Sequence, residues 1–407
     1  MGGSILLGKK RRLAMVISVG LLCARRLMKR QTLFERMYWL LVHIIRGAIV
    51  GFVKTTYCRM RRGARYHPGW SLPRELTLGI IRQVVLTTQD VFSEDPTSYV
   101  AWTKLVELAT KIPTCLRARA QGTRSYHVQV QGIPCVVLCK QEDYADVVNA
   151  LEGASYNESG LLWVVHFHGG GYVSGGLNSA MQVGLDLISQ THHLDVDKRL
   201  VVIHVDYALG PHQKYPQAVV DGVTVYDWLT TKLGVPTSKV FFMGESAGGG
   251  LVCAVLLALR DNPPFLRNDK SYAPPAGAIV LSPMLDVTHN TDYDSHLESH
   301  DIIQGKLARG CARTYVENPQ DAHSPYASPY HAVALHDLPP VLIQTGKVEI
   351  FDPVCRSFAE KGRSHGSMIQ YESYEGMTHC FHMFLHSGCI QSKQAFASIF
   401  SFLKVNS

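Results

Sequence analysis

Short apolar runs without alternation are what most narrows the fold of this chain. Leu162-Trp163-Val164-Val165 and Leu200-Val201-Val202-Ile203 have no polar residue at every second position. A strand made from either must therefore be covered on both faces, as in a parallel sheet between two layers of helix. Comparable segments recur, with helical spacing between them, over 161–168, 200–206, 239–244, 276–282, 340–346 and 368–374. Strand and helix in alternation predict an α/β fold, with a mostly parallel central sheet and helices on both faces. Residues 125–140 alternate in part and predict a hairpin ahead of these strands. In such sheets chemistry gathers at the carboxyl ends of the strands.

Charge is unevenly spread. Residues 1–65 hold fifteen Lys/Arg and one acid, Glu35, a surplus of +14 in a chain whose total is +7, so the remainder carries −7. A basic leader on a mildly acidic body implies no nucleic-acid surface for the body. Within the leader, Lys9-Lys10-Arg11-Arg12 precedes an apolar run from Leu13 to Ala24, and Arg25, Arg26, Lys29 and Arg30 follow. A second apolar stretch runs from Met37 to Val53, broken by His43 and Arg46, with Tyr38 and Trp39 at its start. The first run is short of the ~17–25 residues that cross a bilayer. An arginine inside the second would cost roughly 2.5–3.5 kcal/mol at mid-membrane. The basic flanks suit anionic headgroups. The expectation is a membrane-associated leader over 1–65, as a short signal-anchor or an interfacial helical hairpin, with the endoplasmic reticulum as candidate membrane and the side left open. Asn157-Glu158-Ser159 is a glycosylation triplet that matters only on the lumenal side. The ten cysteines include no C-x-x-C, and Cys135/Cys139 has no second pair at zinc-site spacing. Most read as buried thiols.

Three segments carry chemistry. Gly244-Glu245-Ser246-Ala247-Gly248 is a G-x-S-x-G between an apolar strand and a helix-like run from Leu251. Such a serine sits on a strained strand-to-helix turn, and the flanking glycines make room for it. His168-Gly169-Gly170-Gly171 follows the 161–168 strand. Acyl transfer needs preorganised N–H donors for an oxyanion, and glycines let backbone approach that closely. The expected donors are Gly169, Gly170 and Ala247; His168 is expected to hold its loop and His166 to be a packed histidine. The base is expected after the last strand, at His379 in Gly376-Met377-Thr378-His379, with His382, His365 and His386 as its bland neighbours. The acid is expected after 340–346, where Glu349 competes with Asp352; Asp352 opens an Asp-Pro pair and could equally cap a helix.

Together these segments resemble the hormone-sensitive-lipase branch of the α/β-hydrolase family. Its H-G-G-G loop matches His168 to Gly171, its G-[DE]-S-A-G-G elbow Gly244 to Gly249, and its G-M-x-H-x-F segment Gly376 to Phe381. Ser282-Pro283-Met284-Leu285-Asp286 is similar to the family's S-P-x-x-D. Asp206-Tyr207-Ala208-Leu209-Gly210-Pro211 is similar to its Y-R-L-A-P segment, with Ala208 and Gly210 where Arg and Ala are usual. Gly346-Lys347-Val348-Glu349 is closer to the family's G-x-x-E form of the acid segment and favours Glu349. With its membrane leader, the chain looks most like fungal steryl acetyl hydrolase-type membrane esterases. The resemblance implies an α/β-hydrolase domain over 66–407, with a helical cap from 66–119 and about 287–327. It implies a serine esterase of small lipophilic esters (an acetylated sterol, a terpenoid or another secondary metabolite) that needs no cofactor or metal. An acyltransferase using the same triad and a catalytically silent membrane-bound binding protein are the competing expectations.

Overall fold

The computed structural model describes residues 32–62, 70–153, 160–194, 198–288, 295–383 and 389–407. The first apolar run of the leader, the glycosylation triplet and His386 lie outside them. Three long helices open the chain: α1 (Leu33–Arg62), α2 (Leu72–Glu94) and α3 (Ser98–Ala120). The sheet begins with β1 (Thr123–Val130) and β2 (Ile133–Lys140). They form the predicted hairpin around Gln131 and Gly132, both with positive φ, as a two-residue turn matched to strand twist requires.

The chain continues through α4 (Tyr144–Leu151), β3 (Leu161–Phe167), α5 (Leu177–Ser189), β4 (Arg199–Val205), α6 (Gln217–Asp227), β5 (Val240–Glu245), α7 (Ala247–Asp261) and β6 (Gly277–Leu281). An insertion then supplies α8 (Ser295–His300) and α9 (Gly305–Tyr315). The chain ends with β7 (Val341–Gly346), α10 (Asp352–Ser364), β8 (Ile369–Tyr374) and α11 (Ile390–Val405). The eight strands run in the order β1-β2-β4-β3-β5-β6-β7-β8. β2 is antiparallel to both its neighbours, and every pairing from β4 to β8 is parallel.

The missing alternation now has its cause. Trp163, Val165 and Phe167 of β3 face a core layer shared with α6, α7 and α10, while Leu162 and Val164 face a second layer with α5 and α11. Successive side chains point to opposite faces, and both faces are dry.

α1 ends at Arg62, short of the boundary expected at residue 65, and packs against α2 beyond it. The second apolar stretch lies within α1, and α1 packs along α2 at backbone contact. A Cβ on Gly51 would lie 2.7 Å from Ile80 Cα, and one on Gly79 2.0 Å from Thr55 Oγ1. Thr87 Oγ1 donates to His43 O at 3.2 Å. Arg59 reaches the fully buried Glu75 at 2.6 Å. Small residues at four-residue spacing permit this approach. Leu40 of α1 and Tyr99 of α3 also share one apolar cluster with Cys311 of α9. α1 thus packs with α2 and α3, whose residues Phe92, Tyr99 and Trp102 line a cavity at Ser246.

Candidate active site

Ser246 stands alone between β5 and α7, with φ +54° and ψ −120°. An L-residue held there costs of order 1–3 kcal/mol and persists only where its surroundings over-determine it. They do. Its N–H donates to Leu281 O at 2.8 Å, and its own carbonyl accepts from Gly250 at 3.1 Å and Met284 at 2.9 Å. The spacing of the glycines follows from contact: a Cβ on Gly244 would lie 2.4 Å from Gly248 O, and one on Gly248 1.9 Å from Phe167 O.

His379, in the loop after β8, brings Nε2 to 2.9 Å from Ser246 Oγ. The ring is buried, edge-on to Phe351 at 5.2 Å. Burial pushes the imidazole down to about 3, against the opposing pull of Glu245, so it is neutral and able to accept a proton. Two other histidines have other partners. His382 lines a cavity together with Ser246, but its Nε2 lies 3.0 Å from Gln344 Oε1. His365 accepts from Leu335 N–H at 3.1 Å through Nδ1.

Of the two carboxylates, Glu349 faces the imidazole. Its Oε2 lies 4.0 Å from His379 Nδ1 and accepts from Ser282 Oγ at 2.7 Å and Gly346 N–H at 3.1 Å. Burial, then the neighbouring Asp301, raise this carboxyl well above its ordinary value, while those two donors oppose the rise. Asp352 is occupied at the start of α10. It accepts from Thr345 Oγ1 at 2.5 Å, Ser373 Oγ at 2.7 Å and the Tyr371 hydroxyl, and pairs with Arg356 at 3.2 Å.

A third carboxylate went unread in the sequence. Asp301, fully buried between α8 and α9, accepts from His379 N–H at 3.0 Å and Ile302 N–H at 2.7 Å through Oδ1, and from Ile350 N–H at 3.0 Å through Oδ2. It therefore ties the histidine loop to the Glu349 loop. Burial pushes it up to about 6, against those donors. Ser-His-Asp-Ile-Ile carries no motif and no periodic signal, and its partners lie 49 and 78 residues further on.

The glycine loop departs from expectation at one position. Gly169 N–H donates to Glu245 Oε1 at 2.8 Å, so it is turned away from the role of oxyanion donor. Gly170 and Gly171, with φ +125° and +66°, line the cavity beside Ser246. Neither amide is hydrogen-bonded among the described residues. Ala247 is the first residue of α7, where backbone N–H groups are left without helical partners. Glu245 also accepts from His166 Nε2 at 2.7 Å, and His166 Nδ1 meets His204 Nδ1 at 2.8 Å. One proton between the two rings makes this a hydrogen bond that couples β3 to β4 behind Glu245. Burial alone would raise Glu245, but His166 and the Gly169 amide hold it below its usual value. His168 stacks on Tyr207, whose hydroxyl donates to His168 O at 2.6 Å, and so serves the loop as expected.

Two cavities meet at Ser246. One, of about 210 Å³, is lined by Phe92, Tyr99, Cys311 and Phe351. The other, of about 510 Å³, reaches Val106, Thr110, His379 and Met383. No group of three or more potential metal ligands occurs among the described residues. Seven of the nine described cysteines are buried, as read from the sequence.

Comparison with known proteins places this geometry. Residues 164–383 match a family model described as the alpha/beta hydrolase fold. An esterase of Acinetobacter venetianus is 30% identical over 240 residues, covering 59% of this chain and 73% of that protein. An acetyl-hydrolase of Streptomyces hygroscopicus is 29% identical over 222 residues, covering 54% and 68%. A hormone-sensitive lipase from a metagenome library superposes with a TM-score of 0.58 at 25% identity, over 72% of this chain and 88% of that one. Strand order, serine turn and sequence likeness converge on one lineage: the chain is a carboxylic ester hydrolase and belongs to the hormone-sensitive-lipase branch of the α/β-hydrolase family.

Proposed function

We propose that the chain hydrolyses small lipophilic esters through an acyl-enzyme on Ser246. The observation that carries this is the 2.9 Å approach of His379 Nε2 to Ser246 Oγ, at the junction of two apolar cavities. Ser246 Oγ bonds to the ester carbonyl carbon as its proton passes to His379 Nε2. Negative charge on the former carbonyl oxygen is met by the N–H groups of Gly170, Gly171 and Ala247. One such donor is worth roughly 2.7–4 kcal/mol in the transition state. Collapse breaks the bond to the alcohol, which takes the proton from His379. Water then attacks the acyl group as His379 takes its proton, and the bond to Ser246 Oγ breaks as His379 returns that proton to it, releasing the carboxylic acid. Glu349 orients the ring and stabilises the imidazolium; a closure of about 1 Å from its 4.0 Å distance makes the hydrogen bond.

The unequal cavities support a substrate with a short acyl group and a bulky apolar alcohol. An acetylated sterol or terpenoid of the steryl acetyl hydrolase type fits that description. Membrane association is supported by α1, since Leu33–Met60 is long and apolar enough to cross a bilayer, and Phe34, Ile45, Ile49 and Val53 on it are exposed. The test is turnover of p-nitrophenyl acetate by the purified full chain. Ser246→Ala is expected to abolish it and to lose labelling by a fluorophosphonate. Undiminished turnover by the folded variant would overturn the nucleophile.

A further inference from the structure

α3 has two faces of opposite character. Trp102, Val106, Thr110 and Arg117 look inward and wall the larger cavity. Its one acid, Glu107, is also turned in, accepting from the backbone N–H groups of Asn178 at 2.9 Å and Ser179 at 3.0 Å. The opposite face carries Leu108, Ile112 and Leu116, exposed by 68%, 69% and 64%. Lys104, Lys111 and Arg119 stand exposed around them. At 3.6 residues per turn these six positions fall within an arc of about 140°. Spacing of i, i+4, i+8 makes the three large apolar side chains one continuous stripe.

Leaving that stripe in water is unfavourable, and nothing within the described chain covers it. Lys104 also feels the carboxylate of Asp206, but Lys111 and Arg119 with it leave the exposed arc cationic, which complements an anionic lipid surface, where basic residues meet headgroups and apolar ones enter the acyl boundary. The amino-terminal half of α3 also packs against the apolar leader helix. Leu40 and Met37 of α1 join Tyr99, Trp102 and Leu105 of α3 in one cluster. Arg36 pairs with Asp95, just ahead of α3, at 3.1 Å.

From these observations we infer that the outer face of α3 is a second membrane-docking surface, seated in the interface of a bilayer that contains anionic lipid. This rests on the proposed membrane association of α1 and goes beyond it. It makes the wall of the larger cavity the part of the body that touches lipid, so that an ester dissolved in the bilayer reaches Ser246 without crossing bulk water.

Cys115 lies exposed within the same arc and offers a native reporter. The full chain, in a Cys23→Ser/Cys58→Ser background, is labelled at Cys115 with an environment-sensitive fluorophore. It is then reconstituted into phosphatidylcholine vesicles with and without about 30% phosphatidylserine. Docking requires a blue shift and severalfold quenching by acyl-brominated lipid in the anionic vesicles. L108S/I112S/L116S is expected to lose the quenching yet still float with the vesicles through α1. It should keep its kcat on water-soluble p-nitrophenyl acetate while kcat/KM for a vesicle-embedded ester falls about tenfold. Flotation without quenching of the parent would overturn the docking surface and leave the anchor standing. Failure of the parent to float would overturn both. Oligomerisation in detergent that the triple variant abolishes would assign the face to a second copy of this chain and so overturn the lipid assignment. The hydrolase reading fails separately, through an active Ser246→Ala.

Discussion

The backbone N–H of His379 donates to Asp301 Oδ1 at 3.0 Å, and the other oxygen of the same carboxylate accepts from Ile350, next to Glu349. One buried side chain thus fixes the spacing of the two loops that carry the proposed base and acid. Asp301→Asn keeps the volume but offers one oxygen and one NH2 group, so either His379 or Ile350 loses its acceptor. The expected result is a drop of about tenfold in kcat on a soluble ester, with KM little changed, and a stability loss of about 1–3 kcal/mol. Steady-state kinetics and denaturant unfolding of the purified variant decide it; an unchanged kcat would reduce Asp301 to a structural role.

Glu349 and Asp352 are expected to separate cleanly. Glu349→Gln should lower kcat by ~10²–10⁴-fold, because the imidazolium loses its partner. Asp352→Asn should mainly cost stability, about 1–3 kcal/mol, since three hydroxyl donors converge on one of its oxygens. The reverse pattern in kcat and Tm would exchange their roles.

For Glu245→Gln, one of the carboxylate's two acceptor sites becomes a donor. Either Gly169 N–H or His166 loses its partner, and the glycine loop loosens beside Ser246. The expectation is a reduced kcat with retained fluorophosphonate labelling and a fall in Tm of several degrees. Wild-type kcat in a variant of wild-type Tm would remove Glu245 from the support of the loop.

The pH dependence follows from burial of His379, whose folded value is pushed down to about 3. Its ordinary value is about 6.5, so between the two the unfolded chain binds a proton that the native site does not. The contribution of His379 to stability should therefore shrink as pH drops through 6.5 toward 3, opposite in sign to the raised carboxyls of Glu349 and Asp301, and the difference between wild type and His379→Gln at each pH reads it out. The imidazole stays neutral over this range, so the event expected to lower kcat/KM on a soluble ester as pH falls is protonation of Glu349, whose carboxyl burial and Asp301 raise, and the fall should flatten in Glu349→Gln. A loss centred near 6.5 that persists in Glu349→Gln would show an imidazole more hydrated than the site implies.

The strands and the serine turn were legible because each rests on local pattern: apolar runs on β3 and β4, glycines whose Cβ atoms would strike backbone at Gly244 and Gly248. The choice between Glu349 and Asp352 was open in the sequence because both follow β7 within six residues, and only packing shows that Asp352 is already taken. Gly169 was misread for a related reason. A run of three glycines does not say which amide meets the Glu245 carboxylate, which lies 76 residues away. Asp301 left no trace at all, since a single acid in an irregular insertion carries no period and its partners are backbone groups from distant loops.

The glycine contacts between α1 and α2 have a mechanical consequence. Two helices in backbone contact at Gly51, with the Thr55 side chain seated on Gly79, cannot swivel freely, so α1 and α2 move as a single strut. If α1 is embedded in lipid, as proposed, a change in bilayer thickness that alters its tilt would be transmitted to the helices over Ser246, and membrane composition would set how readily the enzyme admits a substrate.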